Sequence, residues 1–371
     1  MRLKSLLTLC LIPALHARSG AQDWQGLWTS YVRDFMDGQV RVIDHNAGDR
    51  TTSEGQAYGM FFALVADDRS HFDGLLRWTE RNLAAGDLST NLPAWLWGRA
   101  ANNQWGVIDR NSAADADLWM AYSLLEAGKA WNEPRYTKIG TALARRIAME
   151  EVVQVPDLGT IVAPGPSGFQ QGNSYRLNAS YVPLQLILRL DQLMPGGPWG
   201  KVAETIPALV DASAPHGFVS DWTEFRANTG LHSAPTIGSY DAIRVYLWAG
   251  MLDKSTKSRD ALLKSLSGME NYLRTNATPP EKARPDGTIE NPNGPVGFSA
   301  ALIPFAEALH DDRTENQLMS RVRSELNPQT GLFGTPPRYY DQNLALFGLG
   351  FSERQFWFDS DGALKLRWEH A

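Results

Sequence analysis

Two kinds of helical segment alternate along this chain, and that alternation limits its fold more than any other feature. Six segments are apolar nearly all round: Gly59 to Ala66, Leu118 to Ala127, Val182 to Leu190, Ala242 to Leu252, Phe298 to Leu309 and Asn343 to Gly350. A helix that is apolar on every side is buried on every side. Between them lie segments with a single apolar stripe: Trp24 to Met36, His71 to Ala85, Arg135 to Glu150, Lys201 to Ser213, Lys257 to Thr275 and Thr314 to Leu326. In Arg135 to Glu150, for example, Tyr136, Ile139, Leu143 and Ile147 recur at helical spacing. No β pattern of comparable strength appears. Glu151 to Gln171, rich in Val, Gly and Pro, reads as a short hairpin or loop. The simplest packing is an inner ring of six helices inside an outer ring of six, an all-α (α/α)6 barrel. An open stack of helical hairpins is the competing architecture. The buried segments recur roughly every sixty residues, too long for a standard solenoid repeat.

In such a ring all inner helices run the same way, so their N-termini meet at one mouth. The residues there are candidates to share a cleft. The first helix opens Ser53-Glu54-Gly55-Gln56 and the second Ser112-Ala113-Ala114-Asp115-Ala116-Asp117. The third opens Asn178-Ala179-Ser180-Tyr181 and the fourth Ser239-Tyr240-Asp241-Ala242-Ile243-Arg244. Singly, these read as caps: Ser53 with Gln56 and Ser112 with Asp115 have the spacing of capping boxes, and acids in a first turn suit the helix dipole. Together, they bring Glu54, Asp115, Asp241, Tyr181, Tyr240 and Arg244 to one mouth of an apolar barrel. Paired carboxylates across a cleft are the apparatus of glycoside hydrolysis, one protonated to donate, the other ionised. A helix N-terminus favours the ionised form of Glu54, so an acid there needs burial or neighbouring negative charge to keep its proton.

SEGQAYGM (Ser53 to Met60), the segment Ala113 to Trp131 and SYDAIRVYLW (Ser239 to Trp248) resemble the signature regions of glycoside hydrolase family 8. LPAWLWG, NASYVP and GPVGFSAALIPF extend the resemblance over almost the whole chain. It implies an (α/α)6 barrel and an inverting mechanism acting on a β-1,4-glucan such as cellulose or its oligosaccharides. By motif, it implies Glu54 as general acid, Asp241 as the base that activates water, and Asp115 as a residue that holds the sugar at the cleavage point. Trp95 matches an aromatic platform for glucose, and Tyr181, Tyr240 and Arg244 match positions in the same subsite. For an inverting pair the carboxyls are expected roughly 6.5–9.5 Å apart. The family usually carries Ser or Thr where this chain has Ala114, which removes a hydroxyl beside Asp115. Asp117 reads as structural. The resemblance further implies a role in bacterial cellulose production, with a cellulose synthase or export complex as candidate partner. Alternative readings are a family member acting on xylan, chitosan or mixed-linkage glucan, and a non-catalytic glucan-binding protein.

Residues 1–21 read as a secretory signal peptide: basic Arg2 and Lys4, a short apolar run from Leu6 to Leu15, and small residues at Ser19 and Ala21. That predicts a periplasmic or secreted protein whose single catalytic domain spans 22–371. Cys10, the one cysteine, lies in this leader. A net charge of −6, with no dense Lys/Arg stripe, argues against nucleic-acid binding. The seven His are scattered without metal-ligand spacing, so no metal or other cofactor is indicated. Of the 13 Trp, Trp119 and Trp248 fall within buried helices, while Trp95, Trp97, Trp105 and Trp222 fall in expected loops. Asp67-Asp68 and Asp311-Asp312 read as solvated loop charges. Asn178 and Asn276 each begin a glycosylation-type triplet.

Overall fold

The computed structural model describes residues 23–229, 231–233 and 236–370; the leader assigned to residues 1–21 lies outside them. Six helices form the inner ring: α2 (Ser53–Val65), α4 (Ala114–Ala130), α6 (Leu184–Leu193), α8 (Ala242–Gly250), α11 (Val296–Ala308) and α13 (Tyr339–Ser352). The outer ring comprises α1 (Trp24–Phe35), α3 (Arg69–Asn82), α5 (Pro134–Glu150), α7 (Trp199–Ser213), the pair α9 (Arg259–Ser265) and α10 (Ser267–Leu273), and α12 (Asp312–Ser324). Each inner helix packs on the outer helix that follows it, and α1 packs on α13, so the chain's two ends close the outer ring. The expected barrel is present. One expected outer helix, Lys257 to Thr275, is split in two at Leu266.

Aromatic side chains fill the axis. Phe347 of α13 meets Phe62 of α2 at 4.6 Å, Trp119 of α4 at 5.0 Å and Trp248 of α8 at 5.2 Å between ring centroids. These contacts close the inner ring from α13 back to α2. Edge-to-face pairs of this kind contribute roughly 0.5–1.5 kcal/mol each beyond their burial. The α11–α13 contact has a different cause. Pro304 lacks the N–H that would bond the carbonyl of Ala300 four residues earlier. The α13 backbone covers that carbonyl at Gly348, where a Cβ would lie 2.0 Å from the Ala300 oxygen.

Three local expectations are corrected. The segment Val182 to Leu190 is not buried all round: α6 starts at Leu184, and Leu188 and Arg189 are only partly buried. Pro183 disfavours helical backbone at Val182, so Asn178–Tyr181 sits on a separate 3-10 turn, Ala179–Tyr181. The acid pairs are not idle loop charges. Asp68 caps α3 and accepts from the Trp28 indole, Asp67 accepts from the Trp131 indole, and Asp311 caps α12. Asn178 is 3% exposed and its side chain caps the 3-10 turn, which leaves it unsuited to glycosylation.

Short strands decorate the barrel ends. The expected hairpin forms from β4 (Val152–Val155) and β5 (Gly159–Val162). Two further sheets stand out: β1 (Thr51–Thr52), β2 (Leu96–Arg99) and β3 (Trp105–Asp109) in order, and β6 (Gln170–Gln171), β7 (Ser174–Leu177), β8 (Thr223–Arg226) and β9 (Leu231–Ser233) in order. At two to five residues each, these strands are too short to leave a period-2 pattern in the sequence.

Candidate active site

The N-termini of α2, α4, α8 and α13 open onto one cleft of about 660 Å³. Thr52 caps α2 by accepting from the Gly55 N–H at 3.1 Å, and the Ser53 N–H is taken by the Trp95 carbonyl at 2.9 Å. This sets Glu54 in the first turn, facing the cleft. Neither expected capping box exists. Gln56 instead accepts from the Val42 N–H at 2.7 Å, and the Ser112 hydroxyl donates to Glu151 at 2.5 Å. The cap position of α4 is Ala113, without a side-chain cap.

Glu54, Asp115, Asp241, Trp95, Tyr181 and Tyr240 all line the cleft. Arg244 lies beneath them, 1% exposed, and organises the floor. Its Nη1 donates to Glu54, to Asp115 at 2.9 Å and to the Tyr58 hydroxyl at 3.0 Å. Its Nη2 donates to Asp241 at 2.7 Å and to the Ser180 hydroxyl at 3.1 Å. Asp115 also accepts the N–H of Ala116 at 2.8 Å, so both its oxygens are fixed without a hydroxyl at position 114. Trp95 hydrogen-bonds Asp109, which keeps that carboxyl below its ordinary range.

One guanidinium faces three carboxylates, Asp115 buried and Glu54 and Asp241 partly buried, so the cluster favours holding a proton. Burial is the largest influence on Glu54, and the charges of Asp115 and Asp241 add to it. Against them act Arg244 and a hydrogen bond from Tyr339, and the balance raises the carboxyl to about 7. Burial thus outweighs the cation in setting the proton affinity of Glu54. Asp115 is also raised, mainly by burial, with Arg244 opposing.

Several cleft residues escape a reading of the sequence. Tyr339 donates to Glu54 at 3.2 Å, and the Tyr340 hydroxyl donates to the Tyr240 carbonyl at 2.5 Å. Both open α13, so the same rule of inner-helix N-termini finds them once that helix is started at Tyr339 rather than Asn343. Asp44, Arg50 and Arg338 complete the rim but sit in loops with no distinguishing pattern. Trp97 stacks on Trp105, and Trp222 stacks on Phe169 beneath Arg176. Among the described residues, no cluster of metal-ligating side chains occurs and no helix is long and apolar enough to cross a membrane.

Comparison with known proteins accords with this geometry. The family described as glycosyl hydrolases family 8 matches residues 3–354. An endoglucanase of Escherichia coli O157:H7 is 43% identical over 370 residues, covering 99% of this chain and 97% of that one. A probable endoglucanase of Novacetimonas hansenii is 30% identical over 76% of this chain and 80% of its own. Among solved structures, the endo-1,4-D-glucanase of Vibrio fischeri ES114 superposes with a TM-score of 0.82 at 38% identity, covering 93% of this chain and 99% of that one. A barrel of six inner and six outer helices, a carboxylate cluster at its mouth and a family match along nearly the whole chain lead to one conclusion: the chain belongs to glycosyl hydrolases family 8 and is a glycoside hydrolase.

Proposed function

We propose that this protein is an endo-1,4-β-glucanase that cleaves internal bonds of cellulose chains with inversion at the anomeric carbon. Glu54 gives its proton to the glycosidic oxygen as the C1–O bond breaks. Asp241 takes a proton from the water that attacks C1 from the opposite face. Asp115 holds the sugar at the cleavage point, and Trp95, Tyr181 and Tyr240 supply its walls. The observation that carries this reading is the single buried Arg244 shared by all three carboxylates. During the reaction Asp241 loses its negative charge as Glu54 gains one. Both touch the same guanidinium, so the charge moves around a fixed cation and the net charge of the cluster stays constant. Little reorganisation is then required, which is the electrostatic condition for an efficient site. The relatives' names support a glucan as substrate. We further propose export through residues 1–21, a single catalytic domain over 22–371, and service to cellulose synthesis, where trimming of misplaced chains would aid export.

The test is NMR of the anomeric protons released from a soluble cello-oligosaccharide, followed from the earliest time points. New α-anomer is expected. Initial β-anomer would mean retention and would remove Asp241 from the role of base. Binding without cleavage would favour another β-1,4 polysaccharide as substrate.

A further inference from the structure

Asp241 occupies the N-cap position of α8 but does not cap it. Aspartate is among the preferred N-cap residues because its carboxylate accepts the N–H groups at the start of its own helix. Here the backbone of Asp241 is already helical, at φ −80° and ψ −50°, and its side chain makes no cap hydrogen bond. The carboxylate is turned instead to Arg244 and the cleft. The N–H groups of Ile243 and Arg244 are taken by the carbonyls of Ser239 and Asp241, and the remaining donors of the turn are met from elsewhere. Oδ1 of Asp221, a loop residue between α7 and β8, accepts the N–H of Ser239 at 2.7 Å and of Ala242 at 2.8 Å. These two donors flank Tyr240 and Asp241. The rest of the turn is equally constrained: Ser239 donates to the Glu281 carbonyl, and Tyr340 to the Tyr240 carbonyl. At Gly238 a Cβ would lie 1.8 Å from the Val219 oxygen.

We propose that Asp221 is a positioning residue: it caps α8 in place of Asp241 and thereby leaves the Asp241 carboxylate free for water. The inference rests on the reading of Asp241 as base. Asp221 is held against repulsion: the Asp241 charge opposes its ionised form and Arg244 offsets it. Burial, with the Asp241 charge second, raises Asp221 to about 6. If Asp221 is removed, the N–H groups of Ser239 and Ala242 lose their acceptor, and the Asp241 carboxylate turns back onto its own helix.

The experiment compares Asp221→Ala, Asp221→Asn and Asp241→Ala on a soluble cello-oligosaccharide, with thermal melting to confirm folding. Asp221→Ala is expected to lower kcat by about 10²-fold with KM little changed, the signature of a lost transition-state contact. Asp221→Asn keeps the accepting oxygen and should recover most of the turnover. Sodium azide should revive both alanine variants. Azide is already an anion and needs no base: its nitrogen bonds C1, the C1–O bond breaks, and the leaving oxygen takes the Glu54 proton, giving a glycosyl azide. A folded Asp221→Ala with unchanged kcat, beside an inactive Asp241→Ala, would overturn the proposal alone. So would a loss of activity that azide does not relieve, or an asparagine variant as inactive as the alanine. An active Asp241→Ala would instead overturn the assignment of the base.

Discussion

Helix α4 carries two buried carboxylates two residues apart, and they belong to opposite kinds of cluster. Asp115 joins Glu54 and Asp241 around Arg244 at the cleft. Asp117, fully buried, lies against Glu151, and the Ser112 hydroxyl donates to Glu151; among the described residues no salt bridge joins either carboxyl to a cation. Both clusters are dominated by desolvation. Glu54 and Glu151 are each raised to about 7, and Asp117 is raised well above its ordinary range by burial and by Glu151. The difference lies in what balances the charge. At the cleft a cation, Arg244, opposes the rise at Glu54 and Asp115, and the cluster faces open space. Behind it the pair has only the Ser112 hydroxyl and each other, and neither residue lines the cleft. A raised carboxyl by itself therefore does not mark a candidate acid; a raised carboxyl beside a shared cation and an open cleft does.

The comparison breaks most severely at the cation. Arg244→Met should strand three carboxylates at a barely exposed position. Losing one partner of a buried ion pair costs about 3–5 kcal/mol, so urea denaturation at pH 7 should show a loss of at least this order, together with loss of activity. The deficit should shrink on acidification, as the carboxyls take up protons and cease to need the cation. A variant as stable as the parent at pH 7 would show that the three acids are not held charged by Arg244.

Glu54→Gln tests the cleft cluster without disturbing its shape. The amide oxygen still accepts from Arg244 and the amide N–H can donate to the Tyr339 hydroxyl, but the side chain has no acidic proton to give, so kcat should fall by about 10³-fold, with oligosaccharide binding and melting temperature preserved. On the proposed mechanism, Glu54 of the parent enzyme acts only when protonated. Activity should accordingly decline as pH rises through about 7, the value to which that carboxyl is raised. Near-normal turnover of the variant, or a basic limb unrelated to Glu54, would end its assignment as acid.

What the sequence reveals of these clusters depends on how local each feature is. The all-round apolar helices α2, α4, α11 and α13 declare themselves because composition alone separates them from one-faced neighbours. The cleft acids follow from their place at helix starts, a rule that needs only chain direction. Tertiary substitution defeats the same logic at Ser112 and Asp241, where the local pattern signals a cap. Ser112 is taken by Glu151, 39 residues away, and the cap of α8 is supplied by Asp221. Glu151 reads as the first residue of a hairpin or loop, and nothing nearby shows that it will be buried. Arg244 illustrates the same limit: its spacing from Asp241 predicts one ion pair, but its contacts to Glu54 and Asp115 span 190 and 129 residues.

The smallest expected effect belongs to the pair without a cation, and its sign is unusual. Glu151 is raised from 4.5 to about 7, so between these values the folded chain binds a proton that the unfolded chain has released. Stability therefore falls as pH rises through that window, opposite to the behaviour of a salt-bridged carboxylate. Glu151→Gln keeps an oxygen for the Ser112 hydroxyl, offers Asp117 an N–H donor and does not titrate. Near pH 5, where Glu151 is protonated, the variant should match the parent. By pH 8 it should be the more stable, by up to about 3 kcal/mol, with kcat nearly unchanged. Glu54 contributes a slope of the same sign to both proteins, so the difference between their urea stability curves isolates the Glu151–Asp117 pair. Parallel curves across pH 5 to 8 would mean that the second cluster is not balanced by protons. In that case the distinction between a cation-balanced and a proton-balanced cluster would fail at its quieter member.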